Sequence, residues 1–424
     1  MSMEKVRKGY KMTDVGVIPE DWEVDELNKH LILLTDYDAN GSFADMANNV
    51  TTQVGNGYAW FVRATDLEQN TSINHVKFTD KASYDFLKKS SLHGGEVLLA
   101  KRGEIGKVYY FQMKTSKATL APNLYLLKLK NDVNSYYLYC LFKSKLGQEL
   151  LKSINASTSL GAIYKEDVKG MKLIFPSLNE QTAIATALSD IDSLISALDK
   201  KIEKKKAIKQ GLMQQLPTGK KRLAGFSEEW IEREFSKVAN ILRGGSPRPI
   251  EEYIVKSGGI NWIKIGDVDK TAKYIFKTQE QILESGMSHS RFVHMGDLLL
   301  SNSMSFGRPY ILQTEGCIHD GWLVIQDYQN YLDKEFLYYL LGSNSVLRQY
   351  SALAAGSSVL NLNKEIVGGV ILKYPPTLAE QTAIATILSD CDKEISSLEA
   401  KRDKYKEMKQ GMMQQLLTGN IRLI

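Results

Sequence analysis

From Ile184 the chain sets an apolar residue alternately four and three positions on, at Leu188, Ile191, Ile195, Leu198 and Ile202, and Leu212 and Leu216 resume the phase. Further along, Ile384, Leu388, Cys391, Ile395, Leu398, Tyr405, Met412 and Leu416 repeat the pattern in register. A 4-3 alternation is the seam of a coiled coil and wants one long partner helix. The obvious partner of each seam is the other copy. Both stretches carry start and stop signals. Ser177 with Glu180, and Thr377 with Glu380, fit the S/T-x-x-E capping box. Pro176, Pro375 and Pro376 favour extended chain just upstream, and Gly219 and Gly419 stand where a glycine closes a helix. The pattern predicts two helices of roughly 40 residues, each ~60 Å long at 1.5 Å per residue. Lys205, Lys209, Arg402 and Lys409 interrupt the two seams in the same half. Such basic interruptions either set register or lie over an acidic or nucleic-acid surface.

The two helical stretches are copies of each other. Residues 178–223 and 378–423 are identical at 29 of 46 positions without a gap, which marks an internal duplication. The segments before them are repeated only in outline. Gly95 to Ala100 correspond to Gly296 to Ser301, Trp60 to Trp262, Gly106 to Gly307, and Tyr137 to Tyr139 to Phe336 to Tyr338. The apolar and glycine skeleton is kept while the polar residues between are rewritten. In the first half, apolar and aromatic runs predict strands at 58–64, 96–101, 107–112 and 124–129, and a 3.6-residue period predicts one helix over 136–154. The second half repeats this with strands at 259–265, 297–301, 308–313 and 323–326 and a helix over 333–353. The fold class is therefore mixed α/β, with two tandem α/β domains separated by two long helices that form an antiparallel coiled coil with internal pseudo-two-fold symmetry. The expected boundaries are 1–176, 177–219, 220–376 and 377–424.

Composition changes this picture little. At 424 residues, 43% hydrophobic and 24% charged, the chain supports two ordinary globular cores. No apolar run approaches the ~18 residues of a membrane span, and residues 1–10 are charged where a signal peptide needs an apolar stretch, so a cytoplasmic protein with no membrane partner is expected. Cys140, Cys317 and Cys391 are odd in number and widely spaced, as reduced thiols are. Of the net charge of +5, residues 178–223 carry nine basic against five acidic groups, +4, and residues 378–423 carry seven against seven, leaving +1 for the rest. Bulk charge alone does not mark a nucleic-acid binder, so any DNA affinity must reside in local patches. The lysine run 200–209 reads either as the solvated face of a long helix or as a contact to a DNA backbone.

Catalytic patterns are missing from the sequence: there is no G-x-x-x-x-G-K-[ST] phosphate loop, no H-E-x-x-H and no cysteine or histidine pair at metal spacing. Tyr374-Pro375-Pro376 lacks the preceding Asn or Asp of the amino-methyltransferase tetrapeptide. No catalytic residue, metal site or cofactor is expected in this chain. The candidates for chemistry are polar loops between matched strands. Lys101, Arg102 and Lys107 occupy that loop in the first half, and Ser301, Asn302, Ser303 and Arg308 in the second. Arg and Lys suit guanine edges, Asn suits adenine, and Ser serves either. A second loop, Arg243-Gly244-Gly245-Ser246-Pro247-Arg248, adds Arg243, Ser246 and Arg248, with glycines that permit close backbone approach. The alternative for each is a hydrated surface loop.

With these features assembled, the chain resembles the specificity subunit of a Type I DNA restriction-modification system. The resemblance rests on Gly9-Tyr10 through Ile18-Pro19-Glu20-Asp21-Trp22, on Thr218-Gly219-Lys220-Lys221-Arg222-Leu223 with Gly225-Phe226 and Glu229-Trp230, on Gly244-Gly245-Ser246-Pro247, and on the two EQTAIA helices that end in QQL and TG. It spans essentially the whole chain. It implies a non-catalytic subunit whose two target-recognition domains each read half of a split, asymmetric site in double-stranded DNA. It further implies docking of two methyltransferase subunits, which carry S-adenosylmethionine, and of restriction subunits, which use ATP and Mg. The alternatives are the reader of a methylation-only complex and, from a different class, a stand-alone nuclease.

Overall fold

The computed structural model describes residues 6–103, 105–155, 161–269, 271–302, 306–354 and 362–423. The chain forms two compact units, residues 1–198 with 401–424, and residues 199–400. The second is one continuous stretch, whereas the first is closed by the end of the second long helix and the segment after it.

Among the described residues each unit holds two larger sheets with the same strand order, beside smaller two-stranded ones. In the first unit one sheet runs Leu31–Asp36, Leu124–Leu129, Val97–Ala100, Val108–Tyr110, all antiparallel. The other runs Thr52–Val54, Lys77–Thr79, Ala59–Val62, Ala118–Leu120, Ser91–Leu92, with Ala59–Val62 parallel to Ala118–Leu120. In the second unit the corresponding sheets run Asn240–Arg243, Trp322–Gln326, Leu298–Ser301, Pro309–Leu312, extended by Tyr274–Ile275, and Ile254–Val255, Glu280–Ile282, Ile260–Ile263, Gly316–Ile318, Arg291–Val293. The predicted correspondences hold to the residue. Leu98 faces Leu126 as Leu299 faces Val324, and Trp60 pairs with Ala118 as Trp262 pairs with Cys317.

The first sheet in each unit is a wall between two cores. Val97 and Leu99 point into one core and Leu98 and Ala100 into the other, because successive side chains of a strand leave opposite faces. Leu298 and Leu300 are likewise separated from Leu299. Burial on both faces explains why these strands read as continuous apolar runs rather than alternating ones.

The single helices expected over 136–154 and 333–353 are each broken into two: Ser135–Lys143 and Lys145–Ser153, and Lys334–Leu341 and Asn344–Ala354. Periodicity ran on across the break because both pieces bury a face. The interruption is local chemistry: Ser144 leaves helical geometry and caps the next helix by accepting from the Gly147 amide at 3.2 Å. At Gly147 a Cβ would stand 2.1 Å from the Leu141 carbonyl oxygen, so only glycine permits the turn.

The long helices span Leu178–Gln215 and Leu378–Leu416. Gly219 and Gly419 close them with φ of 69° and 72°, as expected of a left-handed terminal residue. The capping boxes are only half made. Ser177 Oγ accepts from the Glu180 amide at 3.3 Å and Thr377 Oγ1 from the Glu380 amide at 3.5 Å. The glutamate side chains, however, turn inward. Glu180 receives Arg422 at 2.6 and 2.8 Å and the Trp22 indole at 2.9 Å; Glu380 receives Arg222 at 2.7 and 2.9 Å and Trp230 at 3.3 Å. The neighbouring Gln181 and Gln381, both buried, each tie the helix start to the chain before it. Gln181 bonds the Asn134 amide and the Asp132 and Pro176 carbonyls, and Gln381 the Asp333 amide and the Tyr331 and Pro375 carbonyls.

Within each unit the start of one long helix runs antiparallel to the end of the other. In the first unit Lys409 binds Asp192 at 2.6 Å, and Tyr136 donates to the same carboxylate. In the second unit Lys209 binds Asp392, which also accepts from Tyr339 at 2.6 Å. Lys205 and Lys206 pair with Glu394 and Glu399. The basic interruptions at Lys205, Lys209 and Lys409 thus fix register. Of the seam residues, Ile184, Leu188, Ile191, Ile202, Ile384, Leu388 and Ile395 are buried, and Ile195, Leu198, Cys391, Leu398 and Tyr405 are half-buried. None of the described helices is long and apolar enough to cross a membrane.

Candidate nucleic-acid interface

The candidate loops of the two units grow from the same backbone position. Lys101 donates its amide to the Asn123 carbonyl at 3.0 Å and accepts from the Ile163 amide at 3.0 Å. Asn302 donates to Gly321 at 2.9 Å and accepts from Leu362 at 2.8 Å. One slot therefore carries a lysine in one unit and an asparagine in the other, with the main chain unchanged. Gly106 and Gly307, five residues on, both take positive φ and lie against the second short helix, where a Cβ would meet Gln148 at 2.4 Å or the Tyr350 ring at 2.7 Å.

In the first unit the slot is filled by charge. Lys101, 7% exposed, holds Asp36 and Asp38, and Lys165 reaches the other oxygen of Asp36 at 2.8 Å. Burial alone would raise the Asp36 carboxyl, but hydrogen bonds from Lys165 and Lys101, together with their charges, hold it below the usual carboxylate range. Burial pushes the Tyr125 phenol beneath these lysines up to about 12. Lys107 pairs with Glu68 at 2.9 Å. Arg102 is exposed and has no ion-pair partner among the described residues.

The depressed Asp36 makes a test by acid. A carboxyl held lower in the folded state contributes stability above its unfolded value of about 4 that is lost as pH falls through the folded value. The Asp36→Asn variant is expected to be less stable at pH 7 and to show a shallower loss between about pH 5 and pH 2 than the parent, followed by circular dichroism. Parallel curves would remove Asp36 from the acid limb.

In the second unit both candidate loops converge on one residue that sequence reasoning missed, Asp320, in the turn between Gly316–Ile318 and Trp322–Gln326. Its carbonyl accepts from Arg243 Nε at 3.1 Å and Asn302 Nδ2 at 2.8 Å. Its carboxylate accepts from Ser246 Oγ at 2.9 Å and lies 4.0 Å from Arg243 and 3.9 Å from Arg248. Arg291 adds a third guanidinium by donating to the Arg243 carbonyl at 2.8 Å. His319 Nδ1 lies 2.9 Å from the Gly321 amide and 3.0 Å from Asp320 Oδ1. Two guanidinia near one carboxylate, with Arg291 on the adjoining main chain, leave a local positive excess. The expected close approach at Gly244 and Gly245 occurs within the chain itself: a Cβ there would stand 2.3 Å from the His319 carbonyl oxygen and 2.7 Å from that of His289.

Ser301 is fully buried, its hydroxyl accepting from the Arg308 amide at 3.1 Å, and Asn302 is 2% exposed. Arg308 lines a cleft of about 360 Å³ with Phe306, Tyr338 and Tyr339, and its Nε has no hydrogen-bond partner among the described residues. Ser303 lies outside the described residues, as do Glu104, Met304 and Ser305 of the same loops. The structure thus brings Arg243, Ser246, Arg248 and Asn302 together, sets Arg308 apart from them, and leaves Lys101 and Ser301 facing inward. Among the described residues no group of three His, Cys, Asp or Glu side chains is placed to hold a metal ion.

The chain is similar to known proteins. Residues 45–210 and 227–406 match the family model described as the Type I restriction modification DNA specificity domain. The putative type I restriction enzyme MjaX specificity subunit of Methanocaldococcus jannaschii is 27% identical over 98% of this chain and 97% of its own length. The MjaVIII specificity subunit of the same organism is 25% identical over 96% of this chain and 94% of its own. The fold is that of the Type-I restriction-modification S subunit from M. genitalium, with a TM-score of 0.60 at 14% identity over 97% of this chain and 98% of that one. Two copies of a DNA specificity module, in the same order and spanning most of both units, leave one assignment: the chain belongs to the family of Type I restriction-modification specificity subunits.

Proposed function

We propose that this chain reads a split, asymmetric sequence in double-stranded DNA, one half per unit, and presents it to two copies of a methyltransferase subunit. The chain itself performs no chemistry; S-adenosylmethionine is bound by the methyltransferases, and ATP and Mg by restriction subunits that join through them. The observation that carries the reading is the shared backbone slot with opposite contents, Lys101 among aspartates in one unit and Asn302 beside an arginine cluster in the other. A frame held constant while its polar groups change is what two independent readers require.

The duplicated helices support two identical partners. Solvent-facing pairs such as Thr186 and Thr386, Lys204 and Lys404, Gln210 and Gln410, and Gln214 and Gln414 are identical, although core packing places no demand on exposed positions. A common surface offered twice suits one protein binding twice.

Co-expression with the methyltransferase of its system, followed by methylome sequencing, tests the proposal: adenine methylation at one split site is expected, and methyl transfer by the lone chain would overturn it. Replacing Gly9 to Phe175 by the equivalent segment of another family member is expected to change one half of the target and leave the other intact. Concerted change of both halves would show that the units do not read separately.

A further inference from the structure

We propose that Asp320 is the positioning residue that sets base choice in the half-site read by the second unit, by holding Arg243 and Arg248 together for donation to a guanine. This rests on the DNA-reading function proposed above. Three residues from one loop, Arg243, Ser246 and Arg248, and one from another, Asn302, meet at Asp320 and not at each other. Arg248 is 82% exposed and Arg243 51%, so both guanidinia are open to a ligand, while Asp320 at 31% sits behind them.

The carboxylate decides the kind of contact. Its Oδ1 accepts from Ser246 at 2.9 Å and lies 3.0 Å from His319 Nδ1, whereas among the described residues Oδ2 faces the two guanidinia at 3.9 and 4.0 Å. A negative group among arginines opposes a phosphate, because like charge is brought toward the DNA backbone. It does not oppose a base edge. Guanine offers O6 and N7 to a paired guanidinium donor; the Asp320 carbonyl orients Arg243 at 3.1 Å, and the charge of the carboxylate holds the second guanidinium, Arg248, beside it. The first unit provides an internal comparison. The residue before Asn123, in the place that Asp320 takes before Gly321, is Pro122, which bears no charge. Base choice in the other half-site should therefore be indifferent to this turn.

The experiment is methylome sequencing of cells carrying the methyltransferase with the parent chain, Asp320→Asn, Arg243→Ala, or the Asp320→Asn/Arg243→Ala pair. The parent must first methylate a split site; if it methylates none, the DNA-reading proposal itself fails. Given that, Asp320→Asn is expected to relax one position of one half-site, lowering the preference for guanine there roughly tenfold or more. The gap and the other half should stay unchanged. The double variant should resemble Arg243→Ala alone, since the aspartate acts through the arginine. An unaltered target in Asp320→Asn, or a uniform fall in methylation at every site, overturns the inference. The uniform fall is what a merely structural residue or a phosphate contact would produce.

Discussion

Glu380→Ala is expected to destabilise the second unit by about 3 kcal/mol, at the lower end of the range for breaking a buried ion pair because Arg222 remains 29% exposed. Glu380 is 1% exposed and receives two bonds from Arg222 and one from Trp230, so its removal leaves a guanidinium and an indole without their acceptor. Hydrogen exchange resolves where the loss falls. Protection should drop around Trp230 and the start of the second long helix, while the amides around Trp22 and Glu180 keep theirs. Glu180→Ala should give the mirror result, exposing the first unit. Equal loss of protection in both units from either substitution would refute the assignment of each glutamate to its own unit.

Lengthening both long helices by four residues, after Lys200 and after Ala400, is expected to widen the gap between the two half-sites by about two base pairs without altering either half. Four helical residues add ~6 Å, and B-DNA rises ~3.4 Å per base pair. The two points are equivalent in the duplication, so extending both spares the register that Lys209 and Asp392 hold on one side and Lys409 and Asp192 on the other. Insertion in the first helix alone displaces one set of these pairs, and a weaker, heterogeneous methylation pattern is expected from it. A paired insertion that methylates fully at the original gap would mean that the helices do not measure the distance.

The sequence announced the frame far better than the sites. The seams, the glycine ends and the pairing of Trp60 with Trp262 were legible because they rest on short-range periodicity and on an internal copy against which to read it. The strands Leu31–Asp36 and Asn240–Arg243 are not legible in the sequence, since each ends in polar residues and is defined by a partner strand 80 to 98 positions away. Asp320 had no local signal at all: its partners Arg243 and Ser246 lie more than 70 residues upstream. The motif around Glu180 and Glu380 is sufficient for a cap and points to nothing more. Their burial depends on arginines 242 and 158 positions distant. The one available hint was that Glu-Gln and Arg-Leu recur together in both copies.

The closure of the first unit by residues 401–424 imposes an order on its making. Tyr10 bonds the Gly419 carbonyl at 2.7 Å, and Arg422 spans Asp21 and Glu180, whereas the second unit draws all its residues from one uninterrupted stretch. During synthesis at ~5–20 residues per second, the domain begun first must wait for the ribosome to deliver residue 422, with a carboxylate lacking its guanidinium partner, while the domain begun later is already whole.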